Sequence, residues 1–202
     1  MGRRPGSRHQ PRPEEVSRKL SFTTGCLFEL PLLALALVCS ALFRRPARAD
    51  IYWSMKSTLV GVVAAIPPLL FFVWTLKSKL RVLARHRHLL ECLLRPLFDK
   101  WSTLQLLAIS VIAGICEEAF FRGALQGGLS ERVDARLALI VASGLFGACH
   151  LLSWTYAVMA ALIGTYLGLL WMGNGNLLTP MVTHAAYDFA ALVYFLRIYR
   201  GG

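Results

Sequence analysis

Four stretches of this chain are unsuited to water. Residues 59–76, 137–149 and 157–172 contain no Asp, Glu, Lys, Arg or His, and residues 27–43 contain one such residue, Glu29. In hydrocarbon a helix pairs every backbone N–H and C=O within itself, and about 20 apolar residues span the bilayer core. The expected fold is therefore all-α, a polytopic membrane helical bundle of about six transmembrane helices, placed at 23–43, 58–76, 104–127, 137–152, 157–172 and 177–198. Six spans of that length use roughly 120 positions. The 202-residue chain then has no room for a soluble catalytic domain, so its chemistry is expected within the membrane. Composition agrees, with 56% hydrophobic and 16% charged residues, where soluble domains carry about 25% charged.

A net charge of +11 raises the question of nucleic acid. Most of the Lys and Arg residues flank apolar runs and do not form one stripe interleaved with aromatics, so no nucleic-acid partner is expected. Five cysteines, at 26, 39, 92, 116 and 149, form no CxxC pair and no disulfide framework. The Pro- and Arg-rich residues 1–21 read as a basic disordered cytoplasmic tail. They lack the Ser or Thr at the sixth position that myristoylation prefers, and the apolar run that follows is long enough to span and has no small-x-small cleavage site. Residues 22–76 read as two accessory transmembrane helices. The stretch 77–101 alternates basic residues with Leu at helical spacing, as in an amphipathic helix lying on anionic lipid. With the N-terminus inside, the inner segments hold 15 Lys and Arg and the outer segments six. The positive-inside rule then puts both termini in the cytoplasm, the expected location being a bacterial inner membrane.

Charged groups at bilayer depth cost several kcal/mol each and are usually functional. The ionisable residues within the expected spans are Glu29, Glu117, Glu118, Arg122, His150, His184 and Asp188. Glu29 stands near a span end and is expected to reach the interface. In Glu117-Glu118-Ala119-Phe120-Phe121-Arg122, Glu118 and Arg122 are four apart and can pair on one helix face. Glu117, rotated by about 100°, is left as the uncompensated carboxylate. Held away from water by Phe120 and Phe121, it is the candidate general base for activating a water. A buried ion pair that only fixes packing accounts for Glu118 and Arg122 but not for Glu117. The second group is Phe146-Gly147-Ala148-Cys149-His150, where Gly144, Gly147 and Ala148 are small enough to admit a neighbouring helix. The third, His184-Ala185-Ala186-Tyr187-Asp188, puts imidazole and carboxylate on one face, where Asp188 can orient His184. At about 1.5 Å rise per residue, Glu117, His150, His184 and Asp188 fall within a band of around 10 Å near the midplane and can share one site.

These three motifs, EExxxR, FxxxH and HxxxD in this order on successive apolar helices, resemble the CPBP family of CAAX-processing and bacteriocin-immunity intramembrane proteases. The resemblance covers about residues 102–198, which it marks as a catalytic helical core. It implies a glutamic-type endopeptidase in which Glu117 and His150 hold and activate a water. His184 and Asp188 stabilise the oxyanion, and Arg122 with Glu118 supports them. Asp188 stands where some members have Asn, which can donate to an oxyanion as an ionised Asp cannot. The implied substrate is a membrane-embedded or lipid-anchored protein, with C-terminally anchored exported precursors the preferred class. No cofactor is expected, although Glu117, His150 and His184 could ligate zinc.

Other intramembrane proteases are disfavoured, because there is no HExxH, no GxSxG and no GxGD-type aspartyl pair. Cys149 and His150 are adjacent and diverge on a helix, which makes a thiol nucleophile poor. Two other classes remain: a non-catalytic scaffold or immunity-type protein with a structural polar cluster, and a proton-coupled transporter, for which no internal repeat is visible.

Overall fold

The computed structural model describes residues 22–199, so the expected tail at 1–21 lies outside the described residues. Helices α1 (Phe22–Phe43), α2 (Met55–Ala64), α3 (Ile66–Lys77), α4 (Arg81–Phe98) and α5 (Thr103–Glu118) come first. A π-helical segment, Ala119–Gln126, continues α5 into the short α6 (Gly127–Ser130). Helices α7 (Ala135–Cys149), α8 (Trp154–Asn174) and α9 (Leu178–Val193) follow, and α9 runs into a second π segment, Tyr194–Ile198. Among the described residues four stretches are long and apolar enough to cross a membrane: Phe22–Phe43, Met55–Lys77, Thr103–Ser130 and Trp154–Asn174. Ala135–Cys149 and α9 are shorter. The chain is a helical membrane bundle as expected.

The expected span at 58–76 is two helices broken at Ala65. Pro67 and Pro68 lack the N–H groups that would continue the ladder. The Ala64 carbonyl, which a residue at 68 would otherwise bond, accepts a 2.8 Å hydrogen bond from the Tyr166 hydroxyl of α8. Ser102 and Gln105 form a capping box at the start of α5, Asp134 caps α7 and Ser153 caps α8. Gly175 ends α8 at φ +64°, a left-handed position. Next to it, buried Asn176 donates to the Tyr52 carbonyl at 2.9 Å and to the Ser57 hydroxyl at 3.0 Å, and accepts from the Leu178 N–H at 3.0 Å. It ties the loop before α2 to the α8–α9 turn.

The stretch between the second and third spans forms α4, whose buried face is Leu83, His86 and Leu90 and whose exposed face includes Arg81, Arg85 and His88. Arg87 donates to the Leu76 carbonyl at 2.9 Å, and Arg95 to that of Phe195 at 3.0 Å. Two of the basic residues therefore cap helix ends. Leu76, Leu90, Trp101, Leu106, Ile109, Phe195 and Leu196 form one core cluster, and Phe121, Phe146 and Ala160 form another.

Of the three small residues expected to admit a neighbouring helix, only Gly147 does so on both counts of burial and contact. A Cβ on Gly147 would lie 2.6 Å from the Ala157 carbonyl oxygen and 2.8 Å from the Ala161 Cβ, whereas one on Gly144 meets nothing within 4 Å. Ala148 is exposed. Gly147→Ala is expected to cost about 1–3 kcal/mol through overpacking and to lower the unfolding temperature in detergent. Gly144→Ala should leave it unchanged.

Candidate active site

Helices α5 and α9 approach closely at Gly114, where an added Cβ would be 2.9 Å from the Met181 carbonyl oxygen and 3.0 Å from the Ala185 nitrogen. That contact brings the end of α5, with Glu117 and Glu118, against His184 one residue before Ala185. Glu118 is fully buried. Its Oε1 accepts from Arg122 Nη1 at 2.6 Å and faces His184 Nδ1 at 2.8 Å. Arg122, 1% exposed, also donates from Nη2 to the Gly164 carbonyl of α8 at 2.8 Å. Its guanidinium stacks over the Phe146 ring of α7, 4.7 Å from the centroid. One carboxylate and one guanidinium thus join α5, the π segment, α7, α8 and α9.

The ring geometry identifies the nitrogens. A carboxylate only accepts, so His184 Nδ1 carries the proton it donates to Glu118, and Nε2 faces Asp188 Oδ2 at 3.4 Å and Glu117 Oε2 at 4.0 Å. The shortest hydrogen bond of His184 is with Glu118, a partnership the HxxxD spacing does not predict. Asp188 flanks the other nitrogen.

His150 lies outside the helix in which the expected span at 137–152 placed it. Helix α7 ends at Cys149, and His150 (φ −100°, ψ 23°) terminates it. The last carbonyls of a helix lack intrahelical donors. His150 Nδ1 donates to one of them, Phe146 O, at 2.7 Å, and its ring stacks on the Phe146 ring at 4.6 Å. The same proton assignment leaves Nε2 free, 3.9 Å from Glu117 Oε2. Glu117 Oε2 is buried and has no hydrogen-bond partner. It stands between two imidazole nitrogens, too far for a direct hydrogen bond to either.

Glu117, His150, His184 and Asp188 line a cavity of about 310 Å³. Phe72, Leu90, Leu94, Phe98 and Phe195 make the rest of it apolar, with α4 supplying part of the wall. Ser110, Tyr156 and Tyr187 also line it, as do an imidazole and a carboxylate outside the three motifs. His86 of α4 is 2% exposed and stacks on Tyr156 at 5.5 Å, and burial lowers its pKa below the ordinary imidazole value. Tyr156 in turn meets the His150 ring edge to face at 5.9 Å. The other is Glu29 of α1, which lines this cavity and whose Oε2 is buried without a partner. Neither residue belongs to a motif. For Glu29 the available signal was a carboxylate inside an apolar run.

Among the described residues no group of three or more His, Cys, Asp or Glu is arranged to hold a metal ion. The Glu117 oxygen and the two Nε2 atoms stand 3.9 and 4.0 Å apart, whereas ligand atoms sharing a tetrahedral zinc lie about 3.3 Å apart.

A helical membrane bundle that buries two adjacent glutamates against two histidines from separate helices defines a narrow class of protein. Residues 99–190 match the family model of type II CAAX prenyl endopeptidase Rce1-like proteins. Over that segment the chain is similar to Rce1-like proteins, and the resemblance carried by the three motifs is borne out. The chain is also similar to the uncharacterized protein YpbD of Bacillus subtilis (strain 168), 31% identical over 111 residues that make up 52% of this chain and 54% of YpbD. It thus spans about half the length of that relative. No solved structure matches the chain.

Breaking a buried ion pair from one side costs about 3–5 kcal/mol, because the other charge is left unpaired. Arg122→Ala is therefore expected to abolish the cooperative thermal transition of the detergent-solubilised protein. Arg122→Lys, which keeps the charge but not the fork reaching both Glu118 and Gly164, should give an intermediate loss. An unchanged transition for Arg122→Ala would show that the pair does not hold the helices together.

Proposed function

We propose that this chain is an intramembrane endopeptidase that hydrolyses a peptide bond with a water activated by Glu117. The observation that carries the reading is the unpartnered Glu117 oxygen, held 3.9 and 4.0 Å from two imidazole nitrogens in the lining of a largely apolar cavity. Two hydrogen bonds of about 2.8 Å meeting at roughly 90° span such a gap, so one water fits between Glu117 and His150. In this reading Glu117 takes a proton from the water as its oxygen attacks the carbonyl carbon. His150 Nε2, an acceptor, orients that water. His184, protonated on both nitrogens between the Glu118 and Asp188 carboxylates, donates its Nε2–H to the oxyanion, and the proton on Glu117 passes to the leaving nitrogen as the C–N bond breaks. Glu118 and Arg122 hold His184 and the helices in place.

The matched family is named for a prenyl endopeptidase, and the apolar walls suit an acyl or prenyl chain or an apolar peptide segment. The substrate class we favour is a membrane-embedded or lipid-anchored protein whose end can leave its helix. The distribution of Lys and Arg supports cytoplasmic termini in a bacterial inner membrane, and the exposed basic face of α4 suits anionic lipid. The donor separations favour a metal-free water mechanism over zinc.

Glu117→Gln keeps the shape of the side chain and removes the base. Mass spectrometry of membrane proteins from cells carrying wild type or Glu117→Gln should show fragments present only with wild type. His150→Ala should lower their formation about 10²–10⁴-fold. A chelator should leave cleavage by the purified protein unchanged. Biological activity retained by Glu117→Gln would instead favour a scaffold.

A further inference from the structure

Glu29 is a carboxylate that neither the ion-pair network nor the water-activating group uses. It is half-buried on α1, an element outside the segment matched to the family. It lines the same cavity as Glu117, His184 and Asp188, and its Oε2 is buried with no partner. A peptide reaches this cavity only by leaving its helix, which strips its backbone N–H groups of their acceptors. Each such group in apolar surroundings costs free energy until it finds another acceptor. The cavity's strongest acceptors are the three carboxylates, which stand beside the phenols of Tyr156 and Tyr187 and the imidazoles of His86 and His150. The Ser110 hydroxyl is already bonded to the Leu106 carbonyl at 2.8 Å, Asp188 flanks His184 at 3.4 Å, and Glu117 is committed to the water. Glu29 is the carboxylate left over.

We propose that Glu29 is a substrate-binding residue whose carboxylate accepts a backbone N–H of the unwound substrate beside the scissile bond. Helix α1 is then a wall of the active site and not an accessory span. Leu32, three residues on, packs against the Phe121–Phe146–Ala160 cluster, which holds this face of α1 toward the site. The proposal rests on the endopeptidase reading, and the two fail in different ways.

The test uses the full-length protein in detergent and a synthetic fluorescent peptide spanning a cut that depends on Glu117 in the membrane proteome. If no cut depends on Glu117, the endopeptidase reading falls and the role of Glu29 falls with it. Where a cut exists, binding of the peptide to Glu117→Gln protein isolates affinity from chemistry. Adding Glu29→Ala should weaken binding about tenfold, the scale of one hydrogen bond to a charged group. Glu29→Gln, which keeps an acceptor oxygen, should stay within about threefold. In the otherwise wild-type enzyme Glu29→Ala should raise KM and leave kcat within about twofold, whereas a purely structural residue has no reason to separate the two. N-methylation of the peptide, one backbone nitrogen at a time, should reveal one position near the cut that costs about tenfold. That penalty should vanish in Glu29→Ala. Unchanged binding in Glu29→Ala, equal losses in Ala and Gln, or a methylation profile with no sensitive position overturns the assignment. The last outcome is readable even if Glu29→Ala does not fold.

Discussion

The bundle is organised around a buried charge that must be satisfied without water. Glu118 and Arg122 are almost completely excluded from solvent, and an unmatched charge there would cost more than any packing contact nearby returns. Their partners come from across the bundle: His184 on α9, the Gly164 carbonyl on α8 and the Phe146 ring on α7. A pair confined to one helix would be satisfied at any helix arrangement. This one is satisfied only when four elements stand in one relation, so the same contacts that neutralise the charge also place the imidazoles. Structure and site share one network.

That network depends on close backbone approach. Gly114 lets α9 lie against the last turns of α5, and Gly147 lets α8 lie against α7. The π segment after Glu118 widens the turn that carries Arg122, a distortion that recurs at functional sites because it re-aims side chains and frees backbone groups. Arg45 answers one of those groups. Its Nη1 donates to the Gly123 carbonyl at 2.8 Å, and its Nε lies 3.0 Å from Glu131. A residue that the charge count treats as an orientation signal is thereby partly consumed in holding the π segment.

Much of this was legible in the residues because hydrocarbon leaves so few alternatives. Apolar runs of spanning length read as helices, and a polar group inside them had to have a reason. The Glu118–Arg122 pair followed from helical spacing alone, and so did the isolation of Glu117 from it. What could not be read depends on relations between helices. The spacing of His184 and Asp188 suggested a local pair, yet the 2.8 Å partner of His184 is Glu118, 66 positions earlier. The periodicity of the fourth span carried helix through His150, but the chain breaks there and the imidazole turns back to cap Phe146. Gly144 and Gly147 look alike in sequence and differ only in whether a second helix lies across them.

Two adjacent glutamates with opposite fates explain how a site of this kind is possible in a membrane. Glu118 spends its charge on Arg122 and His184 and is fixed by them. Glu117, one residue away and turned to the cavity, is denied a direct partner because the imidazoles nearest to it are held elsewhere, His150 by the Phe146 carbonyl and His184 by Glu118. Fixing the histidines through their Nδ1 atoms is what keeps both Nε2 atoms about 4 Å from the Glu117 oxygen, and that distance is too long for collapse into an ion pair and short enough for a bridging water. Further wall comes from α1, α3 and α4, none of which lies in the matched segment, beside α5 and α8, which do. Glu117, His150, His184 and Asp188 lie in the matched segment and part of the apolar wall does not, so the cavity is a property of the whole bundle and not of residues 99–190 alone.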